Sequence, residues 1–368
     1  MEAAMEYVTA LPAETLRAFT RTVFEKAGLS PEHAADGADV LLWASRRGVD
    51  THGVRNLKLI YLRMLEAGLI LPNASFSVEH ETPVSARVNG GGGLGLAAAS
   101  WAMRLAMDKA EQSGMAFVTM RNSFHLGAAG YYPAMALKRD MIGLCLTGRF
   151  NPQGTEIGVP PTFGSMPMFS TNPIAIAFPT DKEPPWVLDM ATSLAPYNRV
   201  VLHRENGLPV PPQWGLTDDG QPTPDAQLMH KMWPLGGDRA HGGHKGYGLS
   251  MLVATMCTVL SGGWDEGHDG DAAAFNGYKQ SGDGHFFGAI RIDAFRPVDS
   301  FKRGMDAMIQ ALHAAPKEEG QERIYVAGEI EHETEQQRKQ DGIPLTAVTV
   351  ADLKEVSEKY GVELEIGE

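Results

Sequence analysis

The chain has 368 residues, 43% of them hydrophobic and 21% charged, with 32 Lys+Arg against 45 Asp+Glu and a net charge of −13. That length points to about two domains, and the composition is ordinary for a folded globular protein, which excludes dominant disorder. Basic pairs as short as Arg46-Arg47 and Lys138-Arg139 make no polybasic arm, so neither nucleic acid nor an anionic membrane is an expected partner.

The first segment reads as helical. Leu16, Phe19, Val23 and Phe24 recur at three- and four-residue intervals, and Gly28 follows as a stop. Ser30-Pro31-Glu32 opens a second helix with Ser as N-cap and Pro at its first position. Asp50-Thr51 is a cap for a third, carrying Leu57, Ile60, Tyr61 and Leu65 and ending at Gly68. After Pro72 short apolar runs alternate with helices. Strands are expected at Ser85–Val88, Met115–Met120, Ile142–Thr147, Ile174–Phe178, Trp186–Asp189 and Phe286–Ile292. Helices are expected near Leu96–Ser113, Tyr131–Arg139, Tyr247–Leu260, Val298–Ala315 and Thr349–Tyr360. The run Leu249–Leu260 is about half the length of a membrane span and reads as a buried core helix. The Pro/Gly-rich stretch from Gly207 to Gly243 is too long for a connector, so it is either functional or packed as an irregular layer.

Two cysteines, Cys145 and Cys257, fit no zinc spacing and cannot staple a chain of this size, so a reducing compartment, the cytoplasm, is expected. Met1-Glu2-Ala3-Ala4 shows no basic or apolar region of a secretory signal.

Several motifs carry chemistry. Gly93-Leu94-Gly95-Leu96-Ala97-Ala98 fits a dinucleotide fingerprint, but the next strand ends in Met120-Arg121-Asn122 and has no carboxylate for a ribose. A glycine turn that lets a helix pack closely is the favoured reading, with Arg121 left as a partner for a 2′-phosphate in the other. His52, in Asp50-Thr51-His52-Gly53, would sit in the first turn of a helix, whose positive end lowers an imidazole pKa toward a proton-transfer role. His125 follows a strand end, where ligand sites of α/β proteins gather. Ser170-Thr171-Asn172-Pro173 and Asp189-Met190-Ala191-Thr192-Ser193 place hydroxyl and amide groups in loops suited to a sugar or phosphate, or to simple turn capping. His241-Gly242-Gly243-His244-Lys245-Gly246 opens a helix with backbone N–H groups and one cation, suited to an anion. His241 and His244 lack a third ligand at a recognisable spacing, so no metal is expected.

In their order, Gly48-Val-Asp-Thr-His-Gly-Val54, Asn122-Ser-Phe-His-Leu-Gly127, Thr171-Asn-Pro-Ile-Ala-Ile-Ala-Phe-Pro179, Asp189-Met-Ala-Thr-Ser193 and His244-Lys-Gly-Tyr-Gly-Leu249 resemble the non-Rossmann malate/L-lactate dehydrogenase family. The resemblance implies an α/β fold with a mixed sheet. A helical domain from both chain ends (1–75 plus 300–368) would flank a central cofactor-binding domain (76–299). It implies hydride exchange between NAD or NADP and a small 2-oxo/2-hydroxy carboxylate, in a homodimer. It makes His52 the proton donor/acceptor, Thr51 its orienter and His125 a neighbour of the nicotinamide. Thr171, Asn172, Asp189, Thr192, Ser193, His244, Lys245 and Gly246 would mostly hold cofactor.

The chain departs from the family around the substrate. Asn56 stands four residues after His52, where an Arg is usual, and Arg55 comes one earlier. Tyr61 comes nine residues after, where the usual position is eight. Thr147–Gln153 does not match the expected Asn-bearing turn, and Ala195-Pro-Tyr-Asn-Arg199 replaces a stretch that usually carries Gly. Arg55, with Arg149 as the alternative, is the expected clamp for the carboxylate. These departures also leave open reduction of a cyclic imine carboxylate, or a non-catalytic cofactor-binding protein.

Overall fold

A computed structural model describes residues 6–155, 157–263 and 283–365. Residues 1–4, read above for a targeting signal, lie outside them. In chain order the helical start comprises β1 (Thr9–Leu11), α1 (Ala13–Lys26) and α2 (Pro31–Arg46). A 3₁₀ turn (Asp50–His52) and a π-helical turn (Leu57–Leu62) then lead into α3 (Arg63–Glu66). The apolar stripe of α1 is buried at Leu16, Phe19, Val23 and Phe24, and Ser30 caps α2 by accepting the His33 N–H at 3.2 Å. Thus the first two helices form where periodicity and capping place them.

The sheet segment follows as β2 (Ser77–Thr82), β3 (Ser85–Asn89), α4 (Gly95–Ser113), β4 (Met115–Ser123), α5 (Tyr131–Ala136), β5 (Met141–Gly148), β6 (Ile174–Phe178) and β7 (Trp186–Met190). Beyond it come α6 (Tyr197–Glu205), β8 (Gly215–Leu216), β9 (Lys231–Met232) and α7 (Gly243–Ala254), which runs on as a π-helical turn (Thr255–Val259). The remaining elements are β10 (Asp283–Arg291), α8 (Val298–His313), α9 (Glu329–Asp341), β11 (Ile343–Leu345) and α10 (Ala347–Tyr360).

Seven strands form one mixed sheet in the order β2-β3-β4-β10-β5-β6-β7. Only β3 and β4 run parallel, joined by the α4 crossover; the other pairs are antiparallel. β10 lies between β4 and β5 and is buried from Asp283 to Ala289. One core runs from the N-terminal helices through α4 to the sheet, and it includes Leu353 and Val356 of α10. β1 pairs antiparallel with β11, so residues near the two ends share a ribbon. α8 packs differently: Phe301 meets Phe178 of β6, and Asp306 accepts backbone N–H groups of the turn at Asp181 and Lys182.

The Gly207–Gly243 stretch is packed. Val210, Ala226, Met229 and Met232 join Val159, Phe169, Ala195, Val200 and Ala254 in a second apolar cluster. Two expectations change. α7 is not fully buried: Met251, Leu252, Val259 and Leu260 are each about half exposed, because only one side of the helix meets β5 and β10. The last helix, expected from Thr349, starts two residues earlier at Ala347 and is capped by Thr346, which accepts the Thr349 N–H at 3.3 Å. Among the described residues, no helix is long and apolar enough to cross a membrane, and both cysteines are buried free thiols.

Candidate active site

A cleft of about 960 Å³ opens beside the sheet. Its lining includes Thr51 and His52 from the 3₁₀ turn, Gly127 to Ala129 after β4, Thr171, Asp189, Ser193, and Pro196, Arg199, Leu202 and His203 on or next to α6. Sequence-distant motifs therefore meet on one surface.

The His52 turn is braced from three directions. Gly53 lies against α2: a Cβ there would come 2.3 Å from Ser45 Oγ, the atom that instead accepts the Val54 N–H at 2.9 Å. The Thr51 carbonyl accepts Asn56 Nδ2 at 2.9 Å and Asn198 Nδ2, from α6, at 3.2 Å. Asp50 is held by both terminal nitrogens of Arg338 on α9, at 2.6 and 2.9 Å. Asn56 is thus a brace of the turn.

The His52 ring stacks on His125 with centroids 5.5 Å apart and planes at 17°. Thr51 Oγ1 lies 2.8 Å from His52 Nδ1, and the Tyr61 hydroxyl lies 2.8 Å from His125 Nδ1. Tyr61 reaches His125 from a π-helical turn, which accommodates one more residue per turn than an α-helix. Behind the pair, His285 on β10 is buried, with Nδ1 2.8 Å from Thr147 Oγ1 and Nε2 3.0 Å from Ser123 Oγ.

Burial pushes His52 down to about 3, helped by the neighbouring His125 and Arg55. His125 is also lowered, chiefly by burial, and burial takes His285 to about 4. All three imidazoles are therefore neutral at pH 7. The helix-end argument for His52 does not hold: its 3₁₀ turn is separate from the helix that follows, and the same downward shift comes from dehydration. Burial raises Asp189 to about 6, opposed by the Gly130 N–H it accepts at 2.7 Å; Glu331 adds to the rise and Arg47 counters it.

The other expected site residues divide. Thr171, Asp189 and Ser193 line the cleft. Asn172 is buried with φ +38° and crosslinks the interior: its side chain accepts the Arg149 N–H at 3.0 Å and donates to Ser250 O at 3.0 Å. Thr192 Oγ1 is likewise inside, 2.7 Å from Ser250 Oγ. Gly246 presses on Leu235, where a Cβ would fall 2.1 Å from the carbonyl oxygen. Lys245 is exposed at the start of α7 and does not line the cleft. Neither expected clamp lines it either. Arg55 is buried in an ion pair with Glu205, and Arg149 pairs with Asp283 at 2.9 Å. Arg121 pairs with Glu79 at 2.8 Å. Gly95 is a packing glycine: a Cβ would sit 2.1 Å from Phe124 O and 2.6 Å from His125 O. That close approach agrees with the favoured reading of the glycine motif.

Sequence reasoning missed Asn198, Glu205, Arg338 and His285. Spacing could not reveal the first three, because their partners lie 147, 150 and 288 residues away. His285 could have been found as the lone imidazole beside an apolar strand.

The family model for malate/L-lactate dehydrogenase matches residues 11–354. The chain belongs to that family. It is 36% identical over 357 residues to the malate dehydrogenase of Pyrococcus abyssi, covering 96% of this chain and 95% of the relative. It is 32% identical over 345 residues to the L-sulfolactate dehydrogenase of Methanocaldococcus jannaschii, covering 93% and 95%. The crystal structure of malate dehydrogenase from Entamoeba histolytica superposes with a TM-score of 0.88 at 34% identity, over 99% of this chain and all of that one. As a malate/L-lactate dehydrogenase family member, the chain is an oxidoreductase of CH–OH groups that uses a nicotinamide cofactor. The residues present fit such a cofactor. The cleft lies at the large end of the usual range for small-molecule pockets and has Thr171 in its lining, with Ser193 beside it donating its hydroxyl to Ala195 O at 2.7 Å. His244 Nδ1, at the start of α7, is a buried ring nitrogen with no hydrogen-bond partner, although His244, like Lys245, does not line the cleft.

Proposed function

We propose that the chain is an NAD- or NADP-dependent dehydrogenase of a malate- or sulfolactate-type 2-hydroxy acid, with His52 as its acid–base residue. The observation that carries this reading is the His52–His125 stack, braced by Thr51 and Tyr61, at the wall of a dinucleotide-sized cleft. When bound, a nicotinamide cofactor would supply hydride exchange at the hydroxyl-bearing carbon. Thr171, Asp189, Ser193 and His244 would hold the cofactor, and His125 would border its reactive ring.

For oxidation, His52 must be neutral and accept the hydroxyl proton. If Nδ1–H donates to Thr51 Oγ1, then Nε2 is left as the acceptor. In the reverse direction the same nitrogen returns the proton to the oxygen on which negative charge builds. The acid form is then needed in a site that favours the neutral ring, and an arriving anionic substrate supplies the compensating charge.

The proposal extends to a homodimer, supported by the half-exposed apolar row Met251, Leu252, Val259 and Leu260. The two buried free thiols support a cytoplasmic setting. The test is His52→Ala. Turnover of NADH or NADPH with 2-oxo acids should fall at least about 100-fold while cofactor affinity is retained. Near-wild-type turnover would overturn the assignment.

A further inference from the structure

His285 is completely buried, and the proton transfer derived above does not use it. It stands where the ladder between β10 and β4 slips. The step from Asp283 to His285 on β10 faces the longer step from Met120 to Ser123 on β4. Within that longer step Asn122 takes the left-handed conformation, at φ +54°. Past the slip only the Asp283–Ser123 pairing remains, so the ladder ends just before Phe124 and His125. Among the described residues, no backbone N–H reaches the Phe124 carbonyl.

The His285 ring takes the place of the ladder there. Its Nε2 lies 3.2 Å from Phe124 O and 3.0 Å from Ser123 Oγ, and its Nδ1 lies 2.8 Å from Thr147 Oγ1 on β5. A carbonyl only accepts, so Nε2 carries the proton and donates to Phe124 O. Nδ1 is then the bare nitrogen and accepts the Thr147 hydroxyl. One tautomer thus ties β5 to the end of β4. Phe124 is 2% exposed, and its carbonyl is also the atom on which Gly95 of α4 closes. The next residue is His125, whose ring stacks on His52. Tyr61 holds the His125 side chain, and His285 holds the backbone that carries it. Without the ring, a buried carbonyl loses its donor, and a shift of the chain at Phe124–His125 is the available relief.

We infer that His285 is a positioning residue for the proton transfer: its Nε2–H fixes the Phe124 carbonyl and so sets the backbone that brings His125 onto His52. The inference rests on the dehydrogenase reading above.

The experiment is a double-mutant cycle in the full-length chain between His285→Leu and His125→Ala, with His285→Gln as the conservative variant. It measures kcat for oxaloacetate reduction at saturating reduced cofactor, and the His52 ring signal by NMR of histidine-labelled protein. In the otherwise wild-type chain, His285→Leu should lower kcat about 100-fold, as expected for a misplaced reacting pair. In the His125→Ala background the same change should cost less than about twofold, because the group it positions is gone. The His52 signal should move toward its position in His125→Ala, as the stacked ring withdraws. His285→Gln keeps an N–H donor in reach of Phe124 O and should recover most of both. If His285→Leu does not fold, Thr147→Val replaces it in the cycle: Nδ1 loses its donor, and kcat should fall about fivefold with the same dependence on His125. Equal fold losses in the two backgrounds, or an unmoved His52 signal, overturn the inference and leave the dehydrogenase reading standing. A wild type that turns over no 2-oxo acid, while His285→Leu still moves the His52 signal, overturns the dehydrogenase reading instead.

Discussion

The acid limb of the oxidation rate tests the electrostatics of the site directly. His52 must be unprotonated to accept the substrate proton, and burial holds it at about 3. An ordinary imidazole at about 6.5 would be only about 3% neutral at pH 5, a loss of about 30-fold in kcat/KM. At about 3, His52 is still about 99% neutral at pH 5, so kcat/KM should change less than twofold between pH 7 and pH 5. The positive charge of an oxidised nicotinamide nearby acts in the same direction. The assay is initial-rate oxidation of lactate, whose single carboxyl stays ionised through this range, with saturating oxidised cofactor and circular dichroism to confirm folding at each pH. A tenfold fall per pH unit, setting in near 6.5 while the fold is intact, would refute the claim that His52 is dehydrated.

Three further outcomes are expected. His285 is neutral in the fold at about 4 and titrates near 6.5 when unfolded, so its contribution to instability begins as pH drops below 6.5 and reaches about 2.7 kcal/mol at pH 4.5. Urea unfolding of His285→Gln should show acid sensitivity weaker by about that amount; parallel curves for the two proteins would contradict it. Glu205→Gln strips the partner from buried Arg55 and should cost about 3 kcal/mol in chemical denaturation, together with a loss of kcat as the His52 turn loosens. Gly95→Ala forces a methyl into the Phe124 and His125 carbonyls and should destabilise by about 2 kcal/mol or more and depress turnover; an unaffected enzyme would show that α4 can shift freely.

What the sequence disclosed followed from local rules. Ser30-Pro31 fixed the start of α2, the apolar runs marked six strands of the main sheet, and the His52 and His125 motifs met with their rings stacked, His52 on the cleft wall. β2 escaped notice because it is an exposed edge strand with no apolar alternation. The π-helical turn at Leu57–Leu62 was hidden for another reason: its apolar residues satisfy a helical pattern, and only backbone hydrogen bonding distinguishes the wider turn. Arg55 is near His52 in sequence, yet its guanidinium turns to Glu205, because proximity along the chain says nothing about direction. Asn172 and Thr192 were legible as polar residues near strand ends, yet they satisfy one another's surroundings inside the protein.

The grip of Arg338 on Asp50 has a consequence for the order in which the enzyme matures during synthesis. The turn bearing His52 leaves the ribosome 288 residues ahead of the side chain that fixes it, and Lys58 waits still longer for Asp352. At about 5–20 residues per second, the proton-transfer turn spends on the order of 15–60 s without that anchor. A nascent chain halted before α9 would thus own every residue of the His52–His125 pair and still lack a finished site, which ties catalytic competence to synthesis through α9.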